Sequence, residues 1–348
     1  MIYLKAAVFE DIETIKIKEI KRPKCGDRGI IVNVKVCGIC GSDIRNYHVG
    51  LKDGIKNQIM GHEIAGIVEE VGSEVKKFKV NDKVAITPDV SCGNCFYCKR
   101  GLVNLCLNHR MIGTHWPGGF AQYIYLPSEI LKNGIINKIP EGVSFNSATI
   151  SEPASSVIAS QENAKIGLGN AVLIIGDGPI GCLHLEIARA RGATTIIMAG
   201  LNRLKSAALF KPDYLIDVAS KDVTSEVLKI TNGLGVDIAI CACPVAKTHN
   251  QAIESVRKRG EVIIFGGLPK TNPMTTINSN LIHYNELTLI GAFSYPGYIH
   301  EKALLAIKNG KINTKKYINE IVPLEGIENG FKIAESGKAL KVLVDPWL

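Results

Sequence analysis

Val172-Leu-Ile-Ile-Gly176-Asp-Gly178-Pro-Ile-Gly181 joins an apolar run to a G-x-G-x-x-G turn and leads directly into the helical pattern 180–191. A glycine turn between a strand and a helix is the context that a dinucleotide-binding fingerprint requires. Gly176 permits the tight turn, Gly178 lets backbone approach a pyrophosphate, and Gly181 lets helix and strand pack closely. Downstream, the apolar runs 195–198, 238–241 and 262–265 alternate with helical patterns such as 248–258. Buried strands alternating with amphipathic helices predict a parallel, doubly wound sheet. Upstream, from residue 1 to about 150, short strands such as 30–36, 63–71 (with Gly66 inside) and 83–88 are broken by Gly, Pro and Asn. That stretch reads as a compact β-rich domain. After about Leu287 one more strand, a helix over 301–308 and a closing strand at 342–344 complete the chain.

The 348 residues suit two domains, and a composition of 46% hydrophobic and 21% charged residues is that of a globular protein. No apolar run is long enough to span a bilayer, which excludes a membrane protein of helical type. The stretch from Met1 to Phe9, with Lys5 inside it, reads as a first strand and not as a secretory signal, so a cytoplasmic protein is expected. The net charge of +8 is spread among acids without a dense basic block, so no nucleic-acid partner is expected.

Ten cysteines carry the next signal. Cys92-Gly-Asn-Cys95-Phe-Tyr-Cys98, then seven residues, then Cys106 form a self-contained four-thiolate set. Zinc takes four tetrahedral ligands, and paired Cys-x-x-Cys turns present two sulfurs each. With no position left open, this reads as a structural zinc site in a lobe of about 89–110. Cys25 and Cys37 read as packing or surface cysteines, and Cys182, Cys241 and Cys243 as small core hydrophobes.

The strand after the glycine loop ends Ala199-Gly200-Leu-Asn202-Arg203-Leu-Lys205. An NAD binder places an acid at that end to take the ribose hydroxyls. Here the position is Gly200, and Arg203 and Lys205 follow, which favours NADP over NAD. The cofactor-binding candidates are Gly176, Gly178, Pro179, Ile180, Gly181, Gly200, Asn202, Arg203 and Lys205.

Two further pieces are Cys40-Gly-Ser42-Asp43 and Gly61-His62-Glu63, the latter with Gly66, Gly72 and Val75. Twenty-one residues separate Cys40 from His62, so spacing alone does not make them a metal site. Together with the four-cysteine lobe, Gly118-Gly-Phe-Ala121, Ser151-Glu152-Pro153 and the glycine loop, however, they occur in the order of the zinc-containing medium-chain dehydrogenases. The chain resembles that family throughout and is most similar to its sorbitol (polyol) dehydrogenase branch. The resemblance implies an α/β fold: a GroES-like β-rich catalytic domain (1–152 and 288–348) plus a Rossmann doubly wound parallel-sheet domain (153–287). It also implies a second, catalytic zinc on Cys40, His62 and Glu152, with Glu63 either a direct ligand or an exchanging one. Asp43 would orient His62, Ser42 would carry the proton, and Tyr295 would contact a hydroxylated substrate.

The implied activity is hydride transfer between a secondary alcohol or polyol and NAD(P), in a homodimer or homotetramer. Threonine-type or sugar-phosphate oxidation, a zinc-free reductase and a non-catalytic sensor are the alternatives. Two positions depart from the relatives: Arg45 replaces a proton-shuttling histidine, and Ser294 in Phe293-Ser294-Tyr295 replaces an arginine that orients the polyol. His48 is the candidate substitute for the first. His109 and His115 read as loop or pocket residues, with His115 a candidate for the substrate cleft.

Overall fold

The computed structural model describes residues 3–348, so the first strand runs Tyr3–Asp11, and Met1 and Ile2 lie outside the described residues. The chain divides into two units, Met1–Ser155 with Tyr295–Leu348, and Ser156–Ser294.

The unit Ser156–Ser294 is built on six parallel strands in the spatial order Tyr214–Asp217, Thr195–Gly200, Ala171–Ile175, Val236–Cys241, Val256–Ile264 and Thr288–Gly291. In chain order that is 3-2-1-4-5-6, the doubly wound arrangement whose crevice lies at the carboxyl ends of the central strands. The central strands are apolar on both faces because helices cover both; Val172, Leu173, Ile174, Ile196, Ile197 and Ile240 are buried. Helix Pro179–Arg191 starts with proline at its first turn, where no N–H is needed, and stops at Gly192 in the left-handed region. Strand Thr288–Gly291 lies in register with Val256–Ile264, so this segment belongs to the parallel sheet and not to the catalytic domain in which the sequence reading put it. The helix expected over 248–258 ends at Ser255, because Val256 already pairs with Val236. Arg257 Nε, donating to Asp237 Oδ1 at 2.7 Å, then fixes the new strand across its neighbour.

The other unit carries an antiparallel sheet with Ile30–Gly38 at its centre, flanked by Glu63–Val71 and by the late strand Lys341–Asp345. Lys83–Val90 extends the sheet, and Tyr3–Asp11 pairs separately with Thr14–Lys21. Val32, Val34, Ile64, Val68, Ile86, Phe120 and Val342 form one continuous core. Gly66 is fixed by close approach: a Cβ there would lie 2.4 Å from the carbonyl oxygen of Asn33. No helix among the described residues is long and apolar enough to cross a membrane.

The three loop glycines differ in what they can tolerate. A Cβ on Gly181 would sit 1.9 Å from the Gly176 carbonyl oxygen, whereas one on Gly178 would meet nothing within 4 Å. Gly181→Ala is therefore expected to cost about 1–3 kcal/mol in urea unfolding. Gly178→Ala is expected to stay within about 0.5 kcal/mol while weakening dinucleotide binding.

Candidate active site and metal centres

Antiparallel pairing sets Gly38 opposite Glu63, so the chain leaving one strand at Cys40 arrives beside the chain entering the next at His62. Gly61 is required there, with φ of +89°, because a Cβ would press on Cys37 and Phe120 at 2.8 Å. Cys40 stands just before helix Gly41–Val49, and its N–H donates to Asp43 Oδ2 at 3.0 Å. The other carboxylate oxygen of Asp43 lies 3.3 Å from His62 Nδ1, and both side chains are buried. The pairing keeps a proton on Nδ1 and leaves Nε2 as the electron-pair donor. Nε2 faces Ser42 Oγ at 3.3 Å. Burial pulls the His62 pKa down, but Asp43 and the hydrogen-bonded Cys40 outweigh it and hold it well above the usual histidine value. With Nδ1 engaged by Asp43, Nε2 is the ring nitrogen left to offer a lone pair to a metal.

Glu152 lies in the first turn of helix Ser151–Asn163 and accepts from Tyr295 OH at 2.9 Å. Its pKa is raised to about 7, chiefly by burial and further by Glu63 and Asp89, against the pull of His62 and the Tyr295 hydrogen bond. Behind it, Ser151 Oγ is 2.7 Å from His300 Nε2, and His300 Nδ1 is 2.9 Å from the Asn137 amide. His300 is fully buried and its pKa falls to about 3, so it is a neutral strut for the start of the helix.

Glu63 is paired with a buried lysine. Its oxygens lie 2.7 and 2.8 Å from Lys341 Nζ, which also donates to the Ile39 carbonyl at 3.2 Å. Gly38 makes room for this, since a Cβ there would lie 2.0 Å from Glu63 Oε2. The carboxylate that the sequence reading offers to zinc is thus committed to a buried ammonium. Lys341 has no local motif that could have revealed it.

The four cysteines of the lobe are the only group of three or more potential ligands, among the described residues, whose ligand atoms all lie within 4.8 Å of one another. Cys40, His62 and Glu152 neighbour one another without meeting that distance. In the lobe, Cys95 Sγ is 3.5 Å from Cys98 Sγ and 4.0 Å from Cys106 Sγ. Sulfurs about 2.3 Å from a tetrahedral zinc lie about 3.8 Å apart, and the two separations bracket that value. Gly93 and Gly101 turn the backbone with φ of +74° and +77°. Backbone N–H groups of Cys98 and Leu107 lower the Cys95 thiol to about 6, whereas burial raises Cys106 to about 12. A bound cation would favour the thiolate form of all four, since metal ligation requires deprotonated sulfur.

At the glycine loop, Gly176 has φ of +132° and Gly178 caps the helix with open space before it. Asn202 and Lys205 are exposed and Arg203 is half-buried. The sequence reading missed Asp177. Its side chain is buried against Gly200, and its Oδ2 accepts the Arg203 N–H at 2.6 Å. A carboxylate is therefore present at the place where Gly200 suggested there was none.

The three other histidines singled out in the sequence take structural posts. His48 is clasped at the surface by Glu13 at 2.8 Å and Glu335 at 3.2 Å, and the pairing raises its pKa. His115 Nδ1 accepts the Met111 N–H at 2.9 Å, and His109 pairs with Asp89 at 2.8 Å. Arg45 is exposed. Cys37, Cys182 and Cys241 are buried, while Cys25 and Cys243 are half-buried.

Residues 26–137 match the alcohol dehydrogenase GroES-like domain, and residues 179–308 match the zinc-binding dehydrogenase domain. The chain is 33% identical to a sorbitol dehydrogenase of Bacillus subtilis (strain 168), over 99% of this chain and 97% of that one. It is 32% identical to a D-arabitol-phosphate dehydrogenase of Enterococcus avium, over 94% and 92% of the two chains. A solved zinc-binding dehydrogenase from Sinorhizobium meliloti 1021, bound to NADP, superposes with a TM-score of 0.91 at 30% identity, over 99% of this chain and 100% of that one.

The Glu63–Lys341 pair gives a direct stability test. Lys341→Met strands a buried carboxylate and is expected to cost about 3–5 kcal/mol in chemical unfolding. Adding Glu63→Gln to it should recover most of that loss. A single variant within about 1 kcal/mol of the parent would mean that the pair is not a structural bolt.

Proposed function

This chain belongs to the zinc-containing medium-chain dehydrogenases, in their sorbitol-dehydrogenase-like branch, and on that premise we propose how its residues divide the work. The protein is a zinc-dependent oxidoreductase that interconverts an alcohol or polyol and its carbonyl product with NAD(P). The proposal for this chain is a secondary alcohol or polyol oxidised to a ketone, with two zinc ions per chain. The single observation that carries it is the buried cluster of His62, paired with Asp43, beside Cys40, Ser42 and the Tyr295-anchored Glu152.

Cys40 Sγ, His62 Nε2 and Glu152 would hold the catalytic zinc, and Cys92, Cys95, Cys98 and Cys106 the structural one. Zinc supplies Lewis acidity toward the substrate oxygen, and the dinucleotide supplies the hydride acceptor. Asp43 fixes the His62 ring and its Nδ1 proton, so the ligand nitrogen stays aimed at one point. Ser42 Oγ, beside that nitrogen, relays the proton leaving the substrate hydroxyl, accepting it while passing its own hydrogen on to water. Tyr295 holds Glu152 in one orientation. Glu63 acts through Lys341 on the shape of the Cys40 turn and not as a ligand.

Proton exit runs from Ser42 without His48, whose two carboxylate partners hold it at the surface. A sugar-phosphate substrate is the second reading, favoured by the likeness to the Enterococcus avium enzyme. For the dinucleotide, Arg203, Lys205 and the NADP of the Sinorhizobium meliloti relative support NADP, and Asp177 opposes it. The assembly proposed is a homodimer or homotetramer in the cytoplasm, acting on a small molecule.

Metal analysis of the purified protein should give close to two zinc ions per chain. Glu152→Ala should loosen one of them and abolish turnover; unchanged turnover would refute its role. Cys95→Ser should lower the zinc content to near one. A panel of sorbitol, xylitol, inositols, threonine, butanediol and sugar phosphates identifies the substrate.

A further inference from the structure

Asp177 occupies the second position of the glycine loop, where a side chain ordinarily does no more than pass through the turn. Here it is held in a defined place. Its Oδ2 accepts the Arg203 N–H at 2.6 Å, which ties the first strand of the parallel sheet to the segment leaving the second. It is buried, with 7% of its surface exposed. A Cβ built on Gly200 would lie 2.4 Å from Asp177 Cβ, 2.5 Å from Cγ and 2.6 Å from Oδ2. Positions 177 and 200 therefore share one volume: an acid fits at the strand end or in the loop, not at both.

We infer that Asp177 is the acid of the adenosine-ribose pocket, supplied from the glycine loop in place of the strand end, and that it selects NAD against NADP. The inference rests on the Rossmann reading of this unit given above. A ribose diol offers two hydroxyl donors. A carboxylate has about four lone-pair sites, so the bond from Arg203 N–H leaves room to accept both. A 2′-phosphate offers only acceptor oxygens and about two negative charges, which a buried carboxylate repels.

Two of the groups that favour NADP are weakened as competitors. The Arg203 main-chain N–H, which a phosphate oxygen could have taken, already serves Asp177. Lys205 is exposed, so its attraction is screened over about 8 Å at physiological salt, while the buried carboxylate is screened less.

The test is direct binding, read without turnover. The zinc-loaded enzyme is titrated with NADH and with NADPH by nicotinamide fluorescence. The parent is expected to bind NADH at least tenfold more tightly. Asp177→Asn keeps an oxygen for the Arg203 N–H and removes the charge, and it should narrow the preference at least tenfold with an unchanged melting curve. The double variant Asp177→Gly with Gly200→Asp moves the acid to the strand end and should restore the NADH preference.

A parent that favours NADPH, or an Asp177→Asn protein with an unaltered ratio, would overturn the assignment of Asp177 alone. Binding of neither dinucleotide by a folded parent would overturn the Rossmann reading on which the assignment depends.

Discussion

Lys341 and Glu63 are both withdrawn from water, and neither charge can be held there without the other. Much of the catalytic unit is arranged to permit that one contact. Gly38 lacks a side chain so that the carboxylate has room, and the Ile39 carbonyl accepts the third direction of the ammonium. The bond joins a strand from early in the chain to one from its last ten residues, on either side of the central strand Ile30–Gly38. Cys40 and His62 lie immediately next to the atoms so fixed. The ion pair thus anchors the chain on both sides of the site, next to the helix start that carries the thiol.

The electrostatic balance around the pair is in keeping with the catalytic metal proposed above. Asp43, Glu63, Glu152 and Asp89 bring carboxylates into one buried region, where Lys341 is already spent on Glu63. The Glu152 carboxyl is displaced to about 7, chiefly by its burial and further by the neighbouring carboxylates Glu63 and Asp89. A doubly charged ion beside Cys40 and His62 would balance these charges, and the His62 ring, oriented by Asp43, offers its free nitrogen for that ion.

What was legible in the sequence was what is local. The four sulfurs fall within fifteen residues, and a strand, a glycine turn and a helix follow one another without interruption, so spacing alone describes them. Cys40, His62 and Glu152 become one cluster only through sheet pairing and helix placement, and family resemblance had to stand in for that geometry. Lys341 was out of reach, because its partner is 278 residues away and a lysine near a strand carries no signature. Asp177 was overlooked for a different reason. The loop pattern leaves its second position unspecified, and only the missing volume at Gly200 reveals what the side chain displaces. The strand Thr288–Gly291 was assigned to the wrong unit because a four-residue segment carries no mark of the sheet it joins.

The early–late pairing also gives the protein a timetable. As the chain emerges during synthesis, Glu63 appears long before Lys341. At about 5–20 residues per second, the interval is on the order of 15–60 s. Throughout it, the nascent unit has the acid Glu63, destined for burial, without the ammonium that later pairs with it. Until Lys341 arrives, the Glu63 carboxylate has to stay in water, so this part of the sheet closes late.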